Sequence, residues 1–478
     1  MNPDTSTLID ALVCDWRNTF AVNQHERPIL IRTTTRGNRI ACDLNSKLAQ
    51  RQIRKAAKKA GVRLSTRQLK EVIDYLIDEA HGNGVTVITS LRIARHHGGI
   101  AIDTMNGRNE VVLLSDGNVK RDACCPEVVF LRTDAMLPYP EISAEPDLKL
   151  VRKYLNTGDQ ECFILEIKLC HILATPIEAH ASFPIIHVQG SEGTAKTTAA
   201  KLLKTLVDPN SVDAVAMPKN QEDLYHAMAG NLLTIIDNAR TISDSMSDLI
   251  CAAAYGINAK KRQLYSDLNS VIMPIQGSIC ITSIDQVFTQ PDAMSRLVPI
   301  TTKPINKQDR KSEAQLLSQF EQDKSKIFTG LLDLTAKIID KLPEAVPTNA
   351  ERMAGFSHFL AAAELADGVP DGIFQGAYSS LIESTMRDSA DENELISAIS
   401  KLLIKYDDCI DLSPADLLRE LTLTTPRELR SQAWPRDPAS MSRKLNTLKS
   451  LMLIQGIRYE TYRQSGRKIL IKRKQAGE

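Results

Sequence analysis

Residues 183–207 hold the pattern that most restricts this chain: the apolar run FPIIHVQG (183–190), a small polar turn, and the helix-forming stretch TAAKLLKTLV (198–207). A short aliphatic run closed by glycine reads as a strand buried on both faces of a parallel sheet. Between it and the helix lies Gly190-Ser191-Glu192-Gly193-Thr194-Ala195-Lys196-Thr197-Thr198. In such a turn the backbone N–H groups cradle phosphates, the lysine neutralises β- and γ-oxygens, and the threonine hydroxyl holds Mg²⁺. Residues 190–198 are therefore expected to bind ATP, with Lys196 on the phosphates and Thr197 as a metal ligand. Ala195, directly before the lysine, departs from the usual motif. A surface turn that merely contains lysine has a similar composition; the flanking strand and helix favour the phosphate reading.

The pattern continues with AVAM (214–217), NLLTIIDNA (231–239), SICITSI (278–284) and VPITTKPI (298–305), separated by helix-like segments such as QEDLYHAMA (221–229) and 244–255. Alternating β and α elements of this length predict a parallel sheet with helices on both faces, an α/β core. Asp237 ends its apolar run where a carboxylate would hold the water shell of Mg²⁺. Asn238 follows, where many such ATPases carry a second acid, and it joins the catalytic candidates. The general base stays open between Glu192 and Asp244. Thr282-Ser283, at the tip of its run, is placed to orient the lytic water. Arg296 sits at a helix end before the last strand, where an arginine reaches the γ-phosphate of a neighbouring subunit. A surface ion pair is its bland alternative.

Gly190-x-x-Gly193-Thr-Ala195-Lys196-Thr resembles the P-loop of MCM helicases, in which alanine also precedes the lysine, and Met294-Ser-Arg296-Leu resembles their arginine-finger segment. The order of strands is similar to that of superfamily-3 helicases. The likeness is to MCM-like AAA+ helicases of bacterial mobile elements (staphylococcal-cassette, satellite and prophage types). It covers about 145–478 in order of parts, with motif-level matches in 183–302 only. It implies an ATP- and Mg²⁺-dependent, ring-forming, hexameric DNA helicase in replication of a mobile element, with a DNA strand in a central channel. Asp237-Asn238 in place of an acidic pair departs from the family, as does an N-terminal region without zinc-ligand spacing. An initiator or loader that uses ATP only as an assembly switch is the rival.

Four regions follow: an α+β unit (1–145), the ATPase core (146–305), a helical lid (306–410) and a basic C-terminal unit (411–478). The stretch before residue 80 reads as helical, with Arg51, Lys55 and Lys59 on one helical face. Glycine-punctuated strands follow from Gly82. Within the core, Lys260, Lys261 and Arg262 flank polar residues centred on Ser266-Asp267, a hairpin that the resemblance places in the channel, where cations meet phosphates. From Ser413 the pattern gives helices starting near Ser413, Pro426 and Pro438, then the strands IRYETYR and RKILIKRK, the sequence of a winged helix. Its basic balance makes Arg443, Lys444, Arg467 and Lys468 candidates for duplex or fork contacts. Arg352, in the lid, is either a phosphate contact or an ion-pair partner.

A formal net charge of +1 over 478 residues leaves no room for long charged tails. No apolar run reaches the roughly 20 residues a bilayer needs, so no membrane contact is expected. The polar N-terminal stretch is unlike a secretory signal, and nine scattered cysteines without CxxC spacing fit a reducing, cytoplasmic setting. Cys124-Cys125 and His96-His97 read as buried or turn residues of a β-rich region in preference to metal ligands.

Overall fold

The computed structural model describes residues 3–15, 18–177, 182–262, 270–275, 277–306, 308, 310–349, 351–430, 434–464 and 466–473. The fold is mixed α/β, and its centre is a four-stranded parallel sheet in the order Leu233–Ala239, Ser278–Ser283, Ile185–Gln189, Leu297–Thr301. Side chains alternate across a strand, and here the alternation divides two cores. Ile186, Val188, Leu233, Ile235, Cys280, Val298 and Ile300 join the cluster that includes the helices Asp159–Ala174, Lys196–Val207 and Glu313–Lys341. Ile185, Ile236, Ile279, Ile281 and Leu297 face the other way, toward the helices Asp244–Ala253 and Glu394–Lys405 and the C-terminal elements. Each strand therefore buries apolar residues on both faces, which is why these runs show no regular polar alternation. Leu203, on the helix Lys196–Val207, is 3% exposed within the first cluster; its truncation to alanine is worth about 2–5 kcal/mol.

AVAM (214–217) forms no strand: Val215 makes an isolated parallel bridge to Ile236. The run is too short, and Pro218 follows it at once.

The region before residue 80 differs from the helical expectation. Strands Asn18–Asn23, Pro28–Thr33 and Arg39–Asp43 form an antiparallel meander in a six-stranded sheet. Its first turn is built by Asn23, buried, whose Oδ1 accepts from the backbone N–H of His25 and Arg27; a side-chain-made turn of this kind leaves no glycine to read. Helices Lys47–Lys59 and Thr66–Gly82 then pack on that sheet, capped by Ser46 and Ser65. The expected glycine-punctuated strands appear as the antiparallel order Ile93–His96, Gly99–Asp103, Val111–Ser115, Asn118–Lys120.

Residues 306–407 are helical as expected, with helices Glu313–Lys341, Ala354–Asp367, Ile373–Asp391 and Glu394–Lys405. Beyond them, Pro414–Thr424 is a helix with Ser413 as N-cap. The helix expected near Pro426 is a short 3-10 turn, Arg427–Leu429; Pro426, Pro435 and Pro438 leave no uninterrupted stretch. Pro438–Thr447 and Lys449–Ile454 are two helices broken at Leu448. The hairpin Ile457–Arg463, Arg467–Arg473 gains an unforeseen third strand, Cys409–Leu412, along its second arm.

Among the described residues no helix is long and apolar enough to cross a membrane.

Candidate nucleotide site

The turn after Gln189 fits only because of its glycines. A Cβ on Gly190 would collide with the Thr302 hydroxyl, and that hydroxyl is committed to Thr194 Oγ1 at 2.7 Å and the Gln189 carbonyl at 3.0 Å. Gly193 has φ +74° and Ala195 φ +64°. The alanine thus occupies the left-handed conformation at which glycine is free and an L-residue costs about 1–2 kcal/mol. This explains why the position is so often glycine, and it shows that Ala195 preserves the shape of the turn.

Lys196 opens the helix Lys196–Val207. Its ammonium donates to the carbonyls of Gly190 and Ser191 at 2.6 and 2.8 Å, closing the turn on itself. Desolvation pulls its pKa below that of an ordinary lysine, against the raising pull of Asp237 and Glu192. Thr197 donates to Asp237 Oδ1 at 2.7 Å, and Thr282 donates to the same oxygen at 2.6 Å. Thr282 in turn accepts from the backbone N–H of Asn238 at 2.9 Å. Thr197, Asp237 and Thr282 come from three separate segments, and the structure brings them to one point.

Asn238 sits at a register irregularity of its strand with φ +54°. Asparagine tolerates that conformation better than most L-residues, and its side chain is exposed. Its contribution to the cluster is a backbone N–H. Ser283, the other half of the expected polar pair, points to the opposite face: it bonds His187 at 2.8 Å and the Asp285 carbonyl at 2.6 Å. Adjacent residues of a strand cannot both face the site. Glu192 and Asp244 are both exposed. An open hollow beside Asp237 is lined by Lys201 and residues 211–216.

Arg296 is held within its own chain on Asp292 at 2.9 Å, with its guanidinium carbon 5.0 Å from the Tyr255 ring centroid. Arg352 pairs with the other oxygen of Asp292. Among the described residues neither arginine bonds to residues 190–198; for Arg352 this is the ion-pair alternative, while Arg296 was expected to serve the turn of a neighbouring copy.

Backbones of Ile257–Arg262 and Ser270–Ile275 pair antiparallel, as the hairpin reading requires; its tip around Ser266-Asp267 lies outside the described residues. Arg443 and Lys444 line a hollow together with Asp244, Glu392 and Glu394, and Lys444 is half-buried. Arg467 is exposed at the start of the last strand, with Lys468 half-buried beside it. His96 and His97 meet Glu127, with the three ligand atoms within 4.8 Å of one another. His97 and Glu127 are exposed, and a carboxylate shared by two imidazoles accounts for the contact.

Sequence reading passed over Asn156, which bridges the Thr194 and Lys303 carbonyls, and Arg310, whose guanidinium lies against Gly193. Neither belongs to a motif with fixed spacing. Also unforeseen is a buried network at the far end of the P-loop helix. There Asp208 accepts from Arg92 at 2.9 Å and Lys204 at 2.8 Å, and Lys204 also donates to Asn231 at 3.0 Å.

Residues 148–388, which contain the turn 190–198 together with Asp237 and Thr282, match the family described as actinomycete integrative conjugative element replication protein. The chain belongs to that family. Residues 395–478 match its C-terminal domain, AICE RepA C-terminal. This replication protein of a mobile element also has helicases among its structural neighbours. "SCCmec type IV Cch - active helicase" is 12% identical with a TM-score of 0.45, over 95% of this chain and 93% of that one. The NrS-1 C terminal region is 10% identical with a TM-score of 0.41, over 97% and 98%. JCV helicase is 13% identical with a TM-score of 0.24, over 49% and 63%. No curated protein matches the chain.

Proposed function

We propose that this replication protein is an ATP-driven DNA helicase whose motor is an AAA+-type module, residues 146–305, between an α+β unit (1–145), a helical lid (306–410) and a winged-helix unit (411–478). The observation that carries the reading is the convergence of Thr197, the residue next to Lys196, and Thr282 on Asp237 Oδ1. The donor set is all oxygen, which suits Mg²⁺, a hard cation that takes carboxylate and hydroxyl ligands. Thr197 and Asp237 would hold the ion, and Mg²⁺ when bound neutralises phosphate charge and orients the triphosphate. Lys196 exchanges its two carbonyl bonds for phosphate oxygens. Thr282, fixed by Asp237 and by the Asn238 N–H, orients the attacking water. Arg296 acts from the adjoining copy in a ring, a hexamer, and adds about 10³ to 10⁵ in rate. Lys260, Lys261 and Arg262 carry the hairpin that meets a single strand in the channel, while Arg467 and Lys468 with Arg443 and Lys444 meet duplex or fork.

Lys196→Ala tests the reading: ATPase and unwinding vanish while assembly persists. Mixing inactive Lys196→Ala and Arg296→Ala subunits regains activity, because some interfaces then pair an intact turn with an intact arginine. Retained unwinding by Lys196→Ala, or no regain on mixing, sinks the motor or the shared site respectively.

Asn238, where a carboxylate would polarise water, favours a second reading: an initiator or loader that turns ATP over only to assemble. Strand displacement on a forked duplex separates the two.

A further inference from the structure

The helix Lys47–Lys59 has one side for the core and another, basic side, part of which (Lys55 and Lys59) borders a hollow with Asp15 and Arg32. Ala49, Ile53 and Ala57 are at most 2% exposed and face the N-terminal core. At about 100° per residue, Arg51, Lys55, Lys58 and Lys59 fall on the opposite side, with Arg54 at its edge, and all five are exposed. None of the five forms an ion pair with a described residue; Arg54 donates to the Leu64 carbonyl at 3.1 Å. The following turn and helix extend the positive field through Arg63, Arg67 and Lys70, of which, among the described residues, Arg67 alone has a carboxylate partner, Glu71 at 3.2 Å. No aspartate or glutamate occurs between residues 44 and 70 in a chain whose net charge is +1, so the rest of the chain is acidic on balance.

A solvated face built only for solubility mixes both signs, because like charges three and four residues apart repel. Lys58 and Lys59 gain from the helix C-terminus, but Arg51 and Lys55 sit a turn or more earlier. The apolar side of the helix is already packed, so nothing remains to insert into a lipid surface. Arg51, Lys55 and Lys59 span about 12 Å along the helix axis, roughly three to four phosphate steps of one DNA strand.

We propose that this helix face is a sequence-independent binding surface for the phosphate backbone of DNA, giving the N-terminal unit a grip of its own on the template. It rests on the replication reading for its choice of DNA as the polyanion, and it does not depend on ATP chemistry. The test uses the full chain, nucleotide-free and with chelator, and fluorescence anisotropy with labelled single-stranded and duplex oligonucleotides across a salt series. Arg51→Gln/Lys55→Gln/Lys59→Gln weakens binding at least 10-fold at low salt. It also flattens the slope of log K against log salt by about 2–3. Arg51→Gln or Lys59→Gln alone removes about one unit each, which covers the case of a poorly folded triple variant. The arm with the larger change identifies whether single strand or duplex lies on the face. Unchanged affinity and slope with both oligonucleotides overturns the proposal. So does loss of binding confined to phosphatidylserine vesicles or polyglutamate. A slope that falls in a protein without ATPase would leave the surface standing and the motor reading refuted; the converse would refute the surface alone.

Discussion

Thr197 donates its hydroxyl to Oδ1 of Asp237 across 2.7 Å, tying the helix that follows the strand Ile185–Gln189 to the strand Leu233–Ala239, two positions away in the sheet. The sheet order places Ser278–Ser283 between them, and Thr282 from that intervening strand reaches the same oxygen. Two hydroxyl donors from separate segments thus fix the orientation of the carboxylate.

Thr282→Val keeps the shape of the strand and removes both bonds of the hydroxyl. The expected result is an ATPase rate lower by about 10²-fold and a stability loss of about 1–2 kcal/mol, since the Asn238 N–H loses its acceptor. Thr282→Ser retains most of the rate. Steady-state phosphate release and urea unfolding on the three proteins check this, and an unaffected rate in the valine variant would remove Thr282 from the site.

Ala195 at φ +64° gives a conformational prediction. Ala195→Gly preserves nucleotide affinity, with a stability change within about 1 kcal/mol, as relief of the left-handed strain and added unfolded-chain entropy oppose each other. Ala195→Val, β-branched in that conformation, weakens binding of a fluorescent ATP analogue more than 10-fold. Equal affinities for the glycine and valine variants would contradict the geometry.

Arg92 and Asp208 are both fully buried as a pair. Arg92→Ala leaves Asp208 with Lys204 as its cation, and Asp208→Ala strands two cations. Each costs about 3–5 kcal/mol, and the double variant costs less than the sum. Chemical denaturation of the four proteins gives the coupling; additive losses would show that the contact is incidental.

Burial holds the His187 imidazole at a pKa of about 4, down from 6.5, and its Nδ1 has no partner among the described residues. Protonation would bury a charge and turn that nitrogen into an unsatisfied N–H. A depressed folded-state pKa means that stability is full above about pH 6.5 and is lost as pH falls toward 4. By pH 5 the loss is about 2 kcal/mol. His187→Gln removes that part of the pH dependence, which thermal midpoints from pH 7 to 5 measure.

The central sheet was legible because every strand in it is buried on both faces, so its runs are continuous, and three of them lead directly into Gly190, Asp237 and Thr282. Motif spacing likewise exposed Lys196 and Thr197. The N-terminal meander was not legible, since its first turn is made by the side chain of Asn23 in place of a glycine or proline signal. The direction of Ser283 was fixed by pleat, which composition does not carry. Arg92 lies more than a hundred residues from Asp208 in sequence, and no local pattern marks a residue whose partner is that far away. Arg296 stood where expected in the chain, yet its partner Asp292 lies only four residues back, a contact that a helix end supplies locally.

The network around Asp208 has a consequence for how this molecule can be dissected. One end of the helix Lys196–Val207 carries the phosphate turn and the other is bolted through Asp208 to Arg92, in the N-terminal unit. Cutting the chain near residue 145 would remove Arg92 and leave Asp208 with Lys204 as its one cation among the described residues. Residues before 145 thus complete the packing behind this helix, and a shortened chain would have to fold without that contact.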